Sequence, residues 1–467
     1  MRDGIKRVLS LVSAAAFAAS MSGCTSGNDT ANGDDILIDE ITDEPVQTFI
    51  IDDTTEEITE TTSETDTVTE AADPYRNSGT VLRVASRNEE LQNVFELLYG
   101  AENLPEGVSF EYVRYPNETD EYVGALNNSF AADEEPIDIF LAEPDYILPF
   151  INSDMTLPLQ EAGITEADTA DMFPYTLSLG TSSDGILKAA SWQAEPGVFV
   201  YRRDIALEVF GNDDPDYIHG LISADWEGTA SALAEKGYYM VSSAGETYRL
   251  YGQNRTSPWV DGGGNICIDN SCRLWTEDMR RDIISGYSPN YPMWTDQWIS
   301  EQNSEGNTFG FCLASWYSEQ LIPMWSDSEA VGIFGVCQPP KPYYWGGAFL
   351  CISSRTDNLD LCGDVLKKLT CDSENMLRFT AEMGDCCNSR SALKMFAESG
   401  LGYSEFYGQD TFSVYLSAAE AVAAGNVTPY DTALDDCYTD TMQDYFNDLL
   451  TYDIAENIFY EKAGEIL

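Results

Sequence analysis

GILKAASWQAEPGVFVYRRDI, residues 185–205, is the stretch from which the fold is read. Short apolar residues lead into a polar and aromatic turn at Trp192–Glu195, and Val198-Phe199-Val200-Tyr201 follows at once. A β-branched and aromatic run of this kind reads as a strand. A short strand, a turn carrying Trp, Gln and Glu, and then a second strand suit a chain that leaves one core and enters another. The polar residues of such a crossing would face a cleft, where a few convergent polar groups orient a ligand.

Upstream, Thr80–Val84 predicts a strand that ends in the polar turn Ser86-Arg87-Asn88. Leu91, Val94, Phe95 and Leu98 recur at helical spacing. A second strand is expected over Val108–Tyr115, a helix over Glu118–Asp133 and a third strand over Ile137–Leu141. Strands alternating with helices over short connections mean a parallel sheet in an α/β lobe. Ligands of such sheets sit at the carboxyl ends of the strands. Here those ends are Ser86-Arg87-Asn88 and Ala142-Glu143-Pro144-Asp145.

Downstream, a helix is expected over Asp204–Phe210, and Asp225 is a candidate N-cap for another. Tyr238–Val241 reads as a strand leading into the loop Ser243–Tyr248, Trp259–Gly264 as a turn and Arg273–Ser285 as a helix. Phe309–Ser315 is strand-like and ends at Trp316, and Gly332–Val336 is a further strand. Tyr343–Ile352 is a candidate second crossing and Gly384–Ser391 a third, with helices over Leu359–Leu369 and Ser373–Met383 between them. Residues 392–467 read as largely helical, with Met442, Tyr445, Phe446 and Leu449 at core spacing. No internal repeat is apparent.

A chain of 467 residues is too long for one core. Its formal charge of −56, from 24 basic and 80 acidic residues, opposes binding to nucleic acid or to a broad anionic membrane face. Residues 1–23 read as an export signal, with Arg2, Lys6 and Arg7 ahead of the apolar Val8–Ala19. Met21-Ser22-Gly23-Cys24 looks like a bacterial lipobox, which would place a diacylglyceryl group on Cys24 and anchor the chain in the membrane. Residues 24–78 are rich in Thr, Asp and Glu, with no Lys or Arg before Arg76. Such a segment repels itself and reads as a disordered tether. The folded region then spans residues 79–467.

Enzymatic signals are poor. Ser-His-Asp or Cys-His chemistry needs a histidine base, and the sole histidine, His219, falls in a Pro/Asp/Gly-rich stretch that reads as a loop. No phosphate-binding glycine loop and no H-E-x-x-H appears. The ten cysteines after residue 266 do not follow zinc spacings, so no metal, cofactor or catalytic residue is expected. Whether they pair or remain buried thiols is open. Aromatics beside carboxylates at strand ends suit a sugar, whose C–H faces stack on Trp or Tyr while its hydroxyls bond Asp, Glu, Asn or Arg. Trp192, Trp316 and Trp345 stand at proposed crossings or strand ends, whereas Trp226, Trp275, Trp294, Trp298 and Trp325 read as packing residues.

The order of elements from Gly79 to Leu467, with Glu195, Tyr201 and Asp204 spaced E-x5-Y-x2-D, resembles the extracellular solute-binding proteins of the sugar-binding, maltodextrin-binding-protein-like class. The resemblance implies an α/β fold of two lobes with a hinged cleft. Lobe one would take about 79–193 and 346–390, and lobe two about 194–345 and 391–467. It also implies a monomeric lipoprotein receptor that hands a carbohydrate to the permease subunits of an ABC transporter. A surface adhesion or sensor module, or the same fold carrying a peptide or polyamine, is the alternative. Residue by residue, DIFLAEPDYILPFINSDMTLPL puts weight on Glu143 and Asp145, AEPGVFVYRRDI on Glu195, and GETY on Glu246 and Tyr248. FCLASW points to Trp316, YYWGGAFLCISSRTDN to Trp345, and the region after Asn426-Val427-Thr428-Pro429 to Tyr430. Arg87, Asn88 and Trp192 complete the expected ligand set. Arg202-Arg203 and the cysteine load depart from the family pattern.

Overall fold

The computed structural model describes residues 76–131, 136–423, 425, 428 and 430–467. The export signal, Cys24 and the tether as far as residue 75 lie outside the described residues. Two sheets organise the rest. The first is built from Val81–Ser86 (β1), Ser109–Arg114 (β2), Ile139–Ala142 (β3), Ala189–Ser191 (β4) and Phe349–Ile352 (β9), in the order β2-β1-β3-β9-β4. The second is built from Gly197–Arg202 (β5), Tyr239–Val241 (β6), Thr308–Ala314 (β7) and Phe334–Cys337 (β8), in the order β6-β7-β5-β8.

β1 pairs in parallel with β2 and β3, as strands joined by helical crossovers must. The helices Glu90–Leu98 and Thr119–Ala131 make those crossovers, and the first buries Leu91, Val94, Phe95 and Leu98. The lobe is not wholly parallel, however. β9, on which the chain returns from the second sheet, runs antiparallel between β3 and β4.

β5 and β7 form the centre of the second sheet. Every residue of both strands is buried, which is why they read as continuous apolar runs without alternation. Each of Val198, Phe199 and Val200 contributes roughly 1.5–3 kcal/mol by leaving water. Gly310 lies directly beneath Phe199, whose ring would be 1.9 Å from an added Cβ. The helices Arg203–Phe210, Pro215–Ala224 and Trp226–Ala234 follow β5, and Asp225 caps the last by accepting from Gly228 N. A separate helical core lies beside this sheet. There, Asn270–Ile284 packs with the C-terminal pair Asp431–Phe446 and Tyr452–Ile466 around Trp259, Trp275, Tyr438 and Phe459.

Several local expectations are corrected. Tyr343–Ala348 is irregular, and only Phe349–Ile352 is strand. Within the expected loop Ser243–Tyr248, Ala244–Thr247 forms a short helix, because Ser243 and Glu246 build a reciprocal capping box. His219 sits on the helix Pro215–Ala224, where its Nδ1 lies 3.0 Å from the Gln338 carbonyl oxygen. Leu449 lies past the end of its helix and is 69% exposed, while Met442 and Phe446 are buried as expected. The ten cysteines among the described residues are free thiols; seven are buried and Cys267, Cys371 and Cys437 half-buried.

Candidate functional site

The chain passes between the two sheets at 192–196 and again at 338–348, and the segment 384–389 runs alongside the first passage. The first passage is the middle one. Gln193 bridges to Cys387 on one side and Pro196 to Tyr344 on the other. Backbone bonds reinforce both seams: Ala194 N donates to Cys386 O at 2.9 Å, Trp345 N to Glu195 O at 3.0 Å, and Gly197 N to Tyr343 O at 2.6 Å.

Gln193 ties all three segments together. Its side-chain Nε2 donates to Glu90 Oε1 at 2.8 Å and to Asp385 Oδ2 at 2.7 Å, while its Oε1 accepts from Ala348 N at 2.9 Å. Gly346 and Gly347 have φ of +93° and +105°, so the second passage turns where a side chain would strain the backbone.

Glu195 has φ +51°, a left-handed conformation that costs a non-glycine residue of order 1–3 kcal/mol. It is buried, and its Oε2 accepts from Ser315 Oγ at 2.6 Å and Trp316 N at 3.2 Å. Desolvation, then the charges of Asp385 and Glu90, raise its carboxyl well above the usual carboxylate range.

On the first lobe, Arg87 Nη2 donates to Glu143 Oε2 at 2.8 Å, which joins the carboxyl ends of β1 and β3. Desolvation raises the Glu143 carboxyl and Arg87 opposes the rise. Asn88 is buried, and its Oδ1 accepts from Glu90 N at 3.0 Å, which starts the first helix. Asp145 is exposed. Its charge acts on Asp436 of the helix Asp431–Phe446, so the two carboxylates lie within electrostatic reach of one another. Desolvation, followed by Asp145 and Asp435, pushes Asp436 up to about 6.

An aromatic cluster lines the second side. Trp345 meets Trp316 edge to face at 6.0 Å and Trp294 at 5.9 Å, and Trp316 Nε1 donates to the Trp345 carbonyl at 2.9 Å. The Arg249 guanidinium lies 4.0 Å over the Trp345 ring. Trp316 and Trp345 are nearly buried, whereas Trp294 is half-buried and adopts φ +67°. Tyr344 stacks on Tyr175 at 5.6 Å beside the same passage.

Arg87, Glu143, Glu195, Trp316 and Trp345 therefore lie at the strand ends and passages from which a ligand site would be built. Three other expected residues are in packing roles. Trp192 is fully buried, so its ring has no open face for a ligand. Glu246 is fully buried; its carboxylate accepts from Ser242 N at 3.1 Å and from Trp298 Nε1 at 2.9 Å, as a helix cap does. Tyr248 is buried against Trp275 at 4.9 Å and donates to Asp435, inside the helical core. Tyr430, 37% exposed, starts the helix Asp431–Phe446. Trp294, Gln193, Asp385 and Asp436 were not singled out from sequence. Only tertiary packing brings them to the passage, although Gln193 lies inside the decisive stretch.

A surface hollow lined by Asn77, Tyr99, Asn103, Asn358 and Asp364 lies elsewhere, at the amino ends of β1 and β2. It is on the side of the first sheet opposite to Arg87 and Glu143, and Tyr99 OH donates to Asp364 there at 2.9 Å. No helix among the described residues is long and apolar enough to cross a membrane.

Comparison with solved structures bears out the two-lobed α/β architecture. An extracellular solute-binding protein of family 1 superposes with a TM-score of 0.72 at 16% identity, over 83% of this chain and all of that one. The sugar-binding protein MalE of Xanthomonas citri gives 0.67 at 17% identity, over 83% of this chain and 97% of that one. The transporter-associated binding protein of B. animalis subsp. lactis, solved with β-1,6-galactobiose, gives 0.60 at 15% identity, over 82% and 96%. A search of curated proteins finds no match. The family model described as bacterial extracellular solute-binding protein matches residues 101–386, more than half of the sequence, and includes both passages and the first half of the third segment. The chain belongs to the bacterial extracellular solute-binding proteins.

Proposed function

We propose that the protein is the receptor of an ABC importer and captures a carbohydrate, an oligosaccharide, between its lobes. The observation that carries this reading is the set of passages between the sheets, bordered by the Trp294–Trp316–Trp345 cluster and by carboxylates. Flat apolar sugar faces stack on such rings, and sugar hydroxyls donate to such oxygens. The galactobiose complex of the B. animalis protein and the sugar-binding MalE of X. citri, which share the fold, support the same class of cargo.

In this reading lobe one is residues 79–193 with 346–390, and lobe two is 194–345 with 391–467. Ligand enters the open cleft and touches both lobes, and it favours the closed form only through contacts that the open form lacks. The permease reads the closed form. The acidic segment 24–78 spaces the receptor from a membrane in which acylated Cys24 is held. Of the expected ligand set, Arg87, Glu143, Asp145, Glu195, Trp316 and Trp345 carry the contacts, with Trp294 added. The protein acts as a monomer and has no catalytic role.

A thermal-shift screen of the full-length protein against mono- and oligosaccharides, with peptides and polyamines as controls, tests the cargo. Saccharide at about 100 times its Kd adds roughly 2.7 kcal/mol of stability, visible as a raised midpoint. No shift with any saccharide would overturn the carbohydrate assignment. Fatty-acid labelling in cells, expected for the native chain and absent in Cys24→Ser, tests the anchor.

A further inference from the structure

Three carboxylates meet where the lobes join, each from a different part of the chain. Glu90 comes from the first helix, Glu195 from the first passage and Asp385 from the third segment. Gln193 bonds Glu90 and Asp385 at once, which holds them within one amide's reach. Glu195 is only 1% exposed, and although its Oε2 is taken by Ser315 and Trp316, its Oε1 has no hydrogen-bond partner. The neighbouring side chain whose charge bears most on it, Asp385, is an acceptor like itself. The cation nearest in effect to Glu90, Arg87, is already bound to Glu143, and Arg249 is stacked over Trp345.

We propose that Glu90, Glu195 and Asp385 form a subsite for the ammonium group of the ligand, so that the cargo is an amino-bearing sugar. The inference rests on the cleft being the ligand site, as proposed above, and specifies what the ligand carries. An ammonium offers three donors and no acceptor, which matches a group of acceptors with one oxygen unclaimed. Charge-assisted bonds of this kind are about twice as strong as neutral ones. A hydroxyl has one proton to give and turns lone pairs toward the remaining acidic oxygens. No set of three or more His, Cys, Asp or Glu side chains among the described residues is arranged to hold a metal ion, so a directional organic cation suits the geometry better.

Desolvation, then the charges of Asp385 and Glu143, push Glu90 up to about 8, so at pH 7 it carries a proton that an arriving ammonium displaces; desolvation and Asp385 raise Glu195 in the same direction. Glu143, Arg87, Tyr112, Tyr175, Cys386 and Cys387 are the other titratable or charged groups facing the cluster. Arrival of an ammonium therefore expels proton from the carboxylates.

Calorimetric titration of the full-length protein with glucosamine oligomers, their N-acetylated forms and the matching glucose oligomers separates the possibilities. It is run at pH 7 in two buffers of different ionisation enthalpy. The amino form is expected to bind at least tenfold tighter than both counterparts and to release about one proton per ligand. Glu90→Gln and Glu195→Gln should each narrow that preference. The first changes a half-buried position, so folding is not the obstacle there. Equal or weaker binding of the amino form, or no proton release, overturns the ammonium subsite and leaves the carbohydrate reading standing. Binding of spermidine with proton release, and of no saccharide, keeps the subsite and overturns the sugar. Silence with every probe overturns both.

Discussion

Glu246 and Trp192 show how burial decides what a polar or aromatic residue does. Glu246 is fully buried, and desolvation pushes its carboxyl up to about 8 from an ordinary 4.5, against the pull of Trp298 and the Ser242 and Ser243 amides. Between those values the folded state holds a proton that the unfolded state has released. Stability from this group is therefore greatest below about 4.5 and declines as pH rises to about 8. Denaturant midpoints measured at pH 5 and pH 8 should fall with pH, and the fall should be smaller in Glu246→Gln; an equal fall would remove Glu246 as the cause. Trp192→Ala empties a fully buried site and is expected to cost about 3–5 kcal/mol in urea unfolding. Trp294→Ala, at a half-buried position, should cost less stability but remove the ligand-induced thermal shift. If Trp294→Ala keeps the full shift, the ring is packing only.

At the scale of elements, the three segments between the lobes act together through one side chain. Gln193→Leu removes the donor shared by Glu90 and Asp385 and the acceptor for Ala348 N, leaving polar groups unsatisfied at about 1–3 kcal/mol each. The expected result is a clear loss of stability together with faster hydrogen exchange at Ala348, while Phe311 in the middle of β7 stays protected. Uniform exchange across both would place the damage elsewhere. In the second sheet, Gly310→Ala sets a methyl against the Phe199 ring and is expected to cost about 1–3 kcal/mol by overpacking, read from the thermal midpoint. A neutral result would mean that Phe199 moves aside.

For the whole molecule, two sheets connected by narrow passages imply that relative lobe motion is the soft degree of freedom. Saturating ligand should shorten the distance between probes placed at Glu111 on the first lobe and Glu235 on the second, measured by spin–spin distance spectroscopy. An unchanged distance distribution would show that recognition proceeds without closure. The charge of −56 should speed the approach of a cationic ligand and make that rate fall as salt rises, through screening over a Debye length of about 10 Å at 0.1 M.

The order of strands and helices was legible in the sequence wherever a single face or period carried it. Leu91, Val94, Phe95 and Leu98 marked their helix, Val198–Tyr201 marked a central strand, and the helix Ser373–Met383 was placed to the residue. The crossing at Trp192–Glu195 was legible too, because a polar and aromatic turn between two apolar strands suits a chain leaving one core for another. What the sequence could not decide was which polar residues face the cleft. Glu195 and Glu246 are both acidic residues flanked by apolar stretches. One sits unsatisfied at the junction of the lobes, and the other caps a helix in the interior. Trp192 is fully buried while Trp294 keeps part of its ring exposed, a difference their local sequence does not show. Secondary structure follows from local sterics and hydrophobic periodicity, which the sequence by itself determined. The junction between the lobes depends on contacts between Glu90, Gln193, Ala348 and Asp385, up to 295 residues apart, and only tertiary packing brings these together.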